Sequence, residues 1–285
     1  MISKNNLLIY FALIFLGLGV LLIFQLKDLG KFKMIACDVG QGDGLLLISP
    51  GGKQVVVDGG AGKKILDCLS SHMPFWDRKV EMMVSTHPQK DHMEGLVAIL
   101  GRYKVDMIVA TGVVNKTQLF AVWQEEIKKS GARVYIPGAG DKFKVDALDF
   151  DVLWPSWAKA SEWQANAPRD LNETSIVMRA SYGDFCVYLT GDLPKEILAK
   201  IIDKPCQVLK VVHHGSRTGT DQEVIDAIRP QLAIIQVGAK NQYGHPHKEV
   251  LDVLTANGVK ILRNDLNGEI EVDSDGRGFS YRLDR

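Results

Sequence analysis

The sequence predicts an α/β domain built from two packed β-sheets with helices on their outer faces. Short apolar strand runs alternate with amphipathic helical stretches in both halves of the chain. Several neighbouring strand runs are joined by tight-turn chemistry, as expected for antiparallel sets. The histidine and aspartate clusters fall where strand runs end, which is where sites form in such sheets.

The elements follow in order. "MIACDV" (34–39), "LLLIS" (45–49) and "QVVVD" (54–58) read as strands, separated by the turn segments "GQGDG" and "PGGK". Residues 61–73 read as a helix, and "VEMMVST" (80–86) as a buried strand. A helix over 93–100, a strand over 105–110, a helix over 117–131 ending at Gly131 and a strand over 132–137 complete the first half. In the second half, 147–154 and 175–190 read as antiparallel strands, the latter a hairpin turning at Gly183-Asp184. Helices over 194–202, 221–228 and 247–258 alternate with strands over 206–212 and 232–237. Short strands at 259–263, 268–272 and 279–283 close the chain.

The first 33 residues differ from the rest. Leu7 to Leu26 holds no charge and one strongly polar residue, Gln25. About 20 apolar residues cross a bilayer as a helix, so 7–26 is expected to be a single membrane span, followed by a linker over Asp28–Lys33. A cleaved signal peptide fits less well, because its apolar core runs only about 7–15 residues before a small-residue cleavage site. Lys4 precedes the span and Lys27, Lys31 and Lys33 follow it, which by the positive-inside rule places the body in the cytoplasm. Residues 34–285 are expected to form one globular domain.

Lysines plus arginines number 34, as do aspartates plus glutamates. No global basic field draws in nucleic acid, so any such binding needs a local patch. The four cysteines, Cys37, Cys68, Cys186 and Cys206, have no paired spacing and are expected to be buried thiols.

Four motifs carry chemistry. In "THPQKDHMEG" a strand runs into a helix, crowding His87, Gln89, Asp91 and His92 onto one turn. A histidine at 89 would complete H-x-H-x-D-H, a spacing that holds two metal ions. For Asp91 the plainer alternative is a helix N-cap. "LTGDLP" (189–194) sets Asp192 just past a buried strand, where a carboxylate bridges metals or caps a helix. "VVHHGSRTG" (211–219) places His213 and His214 directly after an apolar strand, with Gly215 allowing close approach and Ser216 able to donate to an anion. "YGHPHKEV" (243–250) sets His245 and His247 around Pro246 at a helix start. One His/Asp cluster, one aspartate and two histidine pairs at strand ends together point to a metal site.

These motifs, with "DVGQGD" (38–43), "VVVDGG" (55–60), "NETSIVM" (172–178) and "RNDLNGEIEV" (263–272), occur in an order that resembles the metallo-β-lactamase fold. Within that fold the chain resembles the C-terminal hydrolase domain of the ComEC competence proteins, over essentially all of 34–285. The resemblance implies an αββα sandwich, hydrolysis of phosphodiesters with one or two divalent metal ions (zinc or manganese), DNA as substrate, competence-machinery partners and an extracytoplasmic domain. That last implication opposes the lysine count. ComEC proteins also carry a multi-helix channel and usually an OB-like domain, for which the single apolar span offers no counterpart. Sorted on this pattern, Asp91, His92, Asp192 and a histidine of "HHGS", with His213 preferred, are expected to form one complete site. His87, a shared Asp192 and amide oxygens of Gln89 or Asn172 would form a second, weaker one, tilted away from zinc. His214, His245 and His247 are expected to contact the phosphate or protonate the leaving oxygen, with Ser216 and Lys210 helping to neutralise it. Asp43 and Asp58 are expected to hold loops or ligands in place. Other substrates within the same fold, and a non-catalytic DNA- or partner-binding role suggested by Gln89, remain open at this point.

Overall fold

The structure, a computed structural model, describes residues 30–284 and, before them, Asn6, Tyr10, Phe11, 13–17 and Gly19. Of the expected span over 7–26, residues 10, 11, 13–17 and 19 are described and the others lie outside the described residues, as do residues 28 and 29 of the linker. Among those described, no helix is long and apolar enough to cross a membrane.

Two mixed sheets face each other. The first has eight strands in the order β15-β14-β1-β2-β3-β4-β5-β6, and the second has seven in the order β13-β12-β11-β10-β9-β8-β7. In the first sheet β1 (Phe32–Ala36), β2 (Gly44–Ile48), β14 (Ile270–Ser274) and β15 (Phe279–Leu283) pair antiparallel. β3 (Gln54–Gly59), β4 (Lys79–Ser85), β5 (Lys104–Ala110) and β6 (Arg133–Tyr135) run parallel. The second sheet is built likewise. β10 (Phe185–Leu189), β11 (Val208–Lys210), β12 (Leu232–Ile235) and β13 (Lys260–Arg263) are parallel, whereas β7 (Lys142–Val145), β8 (Leu148–Trp154) and β9 (Val177–Tyr182) join antiparallel.

The alternation along each strand sorts side chains between two cores. One face of β1 and β2 sends Met34, Ala36, Leu45 and Leu47 into the layer between the sheets, where they meet Phe150, Met178 and Val187. The other face sends Ile35, Leu46 and Val56 outward under helices α1 (Ile65–His72), α2 (Lys90–Leu100) and α3 (Gln118–Ser130). Tyr188, Leu209 and Ile235 face outward from the second sheet, under α5 (Lys195–Ile201), α6 (Gln222–Ile228) and α7 (Lys248–Ala256). The result is the expected four-layer αββα sandwich.

Three expectations change. β1 begins at Phe32, inside the stretch read as linker, because Phe32 is buried and pairs with Ser274. The edge strand β7 and the helices α4 (Trp157–Ala165) and α8 (Asn264–Asn267) were not foreseen. β7 is four residues long and lysine-bearing, as edge strands tend to be, and α4 is set by its cap, the Ser156 side chain accepting from the Lys159 N–H. The cysteines are not thiols. Cys37 bridges Cys68 and Cys186 bridges Cys206, partners 31 and 20 residues apart. The first bridge ties the end of β1 to α1 and the second ties β10 to the segment before β11. Pairing made by packing leaves no spacing to read.

Candidate metal centre

Parallel strands of both sheets end on the same side, and the motif residues follow them. His87 comes two residues after β4 and is fully buried. Its Nδ1 lies 3.0 Å from Thr86 Oγ1 and 3.4 Å from Ser175 Oγ, which turns Nε2 toward Asp192 Oδ2 at 4.0 Å.

The helix α2 starts at Lys90, with Gln89 in the cap position and no side-chain cap bond, so Asp91 is a first-turn residue and not the cap. Two glycines let this helix descend onto β3. A Cβ on Gly95 would lie 2.0 Å from the Gly59 carbonyl oxygen, so no side chain fits there. The close approach brings His92 Nδ1 to 2.8 Å from Asp58 Oδ2. Asp58, at φ 57°, accepts in turn from the Thr86 N–H at 2.8 Å and the Thr86 hydroxyl at 2.7 Å. His92 Nε2 then faces Asp192 Oδ2 at 3.2 Å.

Lys210 ends β11, and a 3-10 turn over Val212–Gly215 follows. His213 and His214 have φ of 50° and 55°, and Gly215 has 83°. Left-handed backbone costs a non-glycine residue about 1 kcal/mol or more, and two consecutive histidines hold it here. The turn aims His214 Nε2 to 3.5 Å from both Asp91 Oδ2 and Asp192 Oδ2. Its Nδ1 donates to the Gln236 carbonyl at 3.0 Å and sits 3.2 Å from Asp43 Oδ1.

The electrostatics follow from burial and proximity. Burial, helped by neighbouring His92, pushes His87 down to about 3, so it is neutral at pH 7. Burial also opposes charge on His92 and His214. The Asp192 and Asp58 carboxylates outweigh it and hold His92 well above its usual value, and Asp192 and Asp43 hold His214 up at about 9. Asp192 is driven well below the carboxylate range by His92 and His214 despite its own burial. Asp91 is lowered likewise against burial, by His214 and His92. Asp58 is raised by burial.

The donors fit a divalent cation. His87 Nε2, His214 Nε2 and Asp192 Oδ1 are buried without a hydrogen-bond partner, an expensive condition for polar atoms that nothing satisfies. In His87, His92 and His214 a protein group engages Nδ1 and leaves Nε2 facing inward, the arrangement of ligating histidines. Ligand atoms of Asp91, His92 and His214 lie within 4.8 Å of one another, as do those of His87, His92 and Asp192. His213 falls in neither set, although its Nε2 is 3.6 Å from Asp192 Oδ2.

The remaining expected residues sit around this cluster. Gln89 Nε2 donates to Asn172 Oδ1 at 2.8 Å, pairing the two amides. His245 and His247 lie at the rim, ring centroids 4.9 Å apart, with His245 5.6 Å from His213. Burial and the neighbouring histidines push His245 down to about 4. Ser216 is 6% exposed and its hydroxyl meets Thr218 Oγ1 at 3.0 Å. Lys210 does not serve as expected for a substrate phosphate. It is buried, ion-paired to Asp43, donates to the Gly191 carbonyl at 3.1 Å and lies 3.8 Å from Asp192 Oδ1. Asp58 accepts from Thr86 and pairs with His92 Nδ1, and Asp43 pairs with Lys210 and His214. The supporting roles of Thr86, Ser175 and Gln236 were not read from the sequence. Of these, Thr86 had a signal, being next to His87.

The fold and this cluster define a metallo-β-lactamase-fold protein. It superimposes with a TM-score of 0.55 on the metallo-β-lactamase fold protein YhfI from Bacillus subtilis, at 12% identity over 81% of this chain and 96% of that one. Among such proteins it resembles the C-terminal hydrolase domain of the ComEC competence proteins. It is 30% identical over 274 residues to ComE operon protein 3 of Bacillus subtilis, covering 86% of this chain and 33% of the relative. It is 29% identical over 206 residues to the competence protein ComA of Neisseria gonorrhoeae, covering 70% of this chain and 26% of the relative. The chain thus spans about a third or less of the curated relatives it matches. No family model matches it.

Proposed function

We propose that this chain is a metal-dependent phosphodiesterase that cuts DNA in a competence setting, anchored through residues 7–26 with its globular domain on the extracytoplasmic side. The observation that carries the catalytic reading is the convergence of His87, Asp91, His92, Asp192 and His214 around buried, unpartnered ligand atoms. Asp91, His92, Asp192 and His214 hold the complete site, with His214 taking the place first given to His213. His87, Asp192 and an amide oxygen of the Gln89–Asn172 pair hold a second, weaker one, whose neutral oxygen favours manganese over zinc. A bound cation there lowers the pKa of water and offsets charge on a phosphodiester. Asp58, Asp43 and Thr86 fix the imidazole tautomers. Lys210 neutralises the crowded Asp43 and Asp192. His245, neutral at pH 7, and His247 stand at the rim, where His245 would orient the phosphate through a ring N–H and His247 would pass a proton to the leaving oxygen.

The competence relatives support the DNA setting. The two disulfides support the side of the membrane, since such bridges persist in oxidising compartments. They count against the orientation suggested by the lysines. The test is metal content and hydrolysis of bis-p-nitrophenyl phosphate and of DNA, for the wild type and Asp192→Ala. We expect the variant to lose both bound metal and turnover. Full activity without the carboxylate would remove it from the mechanism. Turnover of the small diester without action on DNA would remove the nuclease.

A further inference from the structure

A groove of about 350 Å³ opens beside the cluster, lined in part by Gln41, Lys90, Asp91, Lys240, Asn241 and Tyr243. Asp91 belongs to the cluster and the other five do not. Tyr243 is 55% exposed, yet its ring is stacked on His245, centroids 5.7 Å apart and planes inclined by 26°. The loop that carries it is fixed. Asn241 Oδ1 accepts from the N–H groups of Tyr243 at 3.2 Å and His245 at 3.0 Å, and its amide donates to the carbonyls of His245 at 2.8 Å and Gly238 at 3.0 Å. The aromatic surface is therefore held ready and left open. A single imidazole, His245, stands between it and His213 and His214. Lys90 and Lys240 are exposed beside it.

A rigid, open aromatic face flanked by ammonium groups matches an unpaired nucleobase with phosphates on either side. A base inside a duplex is already stacked and paired, and reaches such a face only by being flipped out. We propose that the protein binds single-stranded nucleic acid here, with Tyr243 stacking the base next to the scissile phosphodiester and Lys90 and Lys240 holding neighbouring phosphates. This rests on the phosphodiesterase reading and narrows its substrate. The groove on the His247 side sets Glu196, Asp221 and Glu249 against Lys195 and Arg217, a balance that does not favour a phosphate chain. The strand is held from the Tyr243 side.

The experiment measures binding of the metal-free full-length chain to a short fluorescein-labelled oligothymidylate by anisotropy, with a duplex of equal length alongside. Tyr243→Ala is expected to weaken single-strand binding about tenfold, while Tyr243→Phe and Tyr243→Trp stay within about twofold of wild type. Lys90→Gln with Lys240→Gln is expected to flatten the slope of log Kd against log salt by about 1.4, at about 0.7 per phosphate on a single strand. Unchanged binding by Tyr243→Ala, equal loss in Tyr243→Phe, or duplex bound as tightly as single strand overturns the platform. Hydrolysis of bis-p-nitrophenyl phosphate by the metal-loaded wild type, measured separately, tells the two readings apart. Turnover without Tyr243-dependent binding refutes the platform alone, and Tyr243-dependent binding without turnover supports it while removing the catalysis.

Discussion

Asp58→Asn is the sharpest probe of how the cluster is preorganised. The Asp58 carboxylate takes three hydrogen bonds, from the Thr86 N–H, the Thr86 hydroxyl and His92 Nδ1. The substitution keeps shape and volume but turns one oxygen into a donor. With the amide nitrogen facing His92, the imidazole must accept at Nδ1 and carry its proton on Nε2, the atom that faces Asp192. With the amide reversed, its nitrogen meets the Thr86 N–H, donor against donor, in a site closed to water. Either way His92 is lost as a ligand in its working tautomer or a buried bond is broken. Removing such a supporting group costs about 10- to 100-fold in metal affinity, or about 1.4–2.8 kcal/mol. Competition with a chromogenic chelator measures this directly, with circular dichroism to confirm that the fold is kept. Affinity within twofold of wild type in the folded variant would show that Asp58 does not set the tautomer, and the reasoning would fail.

Gln89→His is expected to raise the number of ions bound per chain, read by metal analysis after gel filtration. Unchanged stoichiometry would mean residue 89 does not face the second site. Metal affinity is expected to rise with pH up to about 9. His214 holds a proton until that pH, the Asp192 and Asp43 carboxylates outweighing its burial, and a cation must displace the proton. Calorimetry in buffers of different ionisation enthalpy reads the released proton, and flat affinity from about pH 7 to about 9 would contradict it. The same raised value means that the metal-free fold gains stability from His214 below its ordinary value of 6.5 and loses it as pH climbs through about 9. Reducing the disulfides is expected to lower stability by about 2–4 kcal/mol for each bridge, seen as a fall in denaturant midpoint. An unchanged midpoint with four titratable thiols would refute a stabilising role.

The strands and most helices were legible because their apolar residues recur at the spacing of a pleat or a helix turn. The motif residues were legible because polar clusters straight after apolar strands have few packing explanations. The parts that were not legible depend on contacts between distant segments. Lys210 reads as a cation that helps neutralise a substrate phosphate until β11 is seen to bury it against Asp43, 167 residues earlier in the chain. The choice of His214 over His213 depends on a left-handed turn that the letters "HHG" permit but do not require. The cysteine pairs were hidden for the same reason. Tyr243, an aromatic beside "GHPH", carries none of the imidazole or carboxylate donors that mark the other motifs.

Gly30 lies beside Pro50 and Tyr182, whereas the other end of β1 reaches Gly44 and Asn264. Asp43, next to Gly44, touches Asp91 through the backbone. The chain therefore enters the domain at the end of the sandwich remote from the cluster. Under the proposed anchoring through residues 7–26, a tether joined there would work like a stalk under a lamp. It would keep the cluster the full length of a strand away from the surface that holds it.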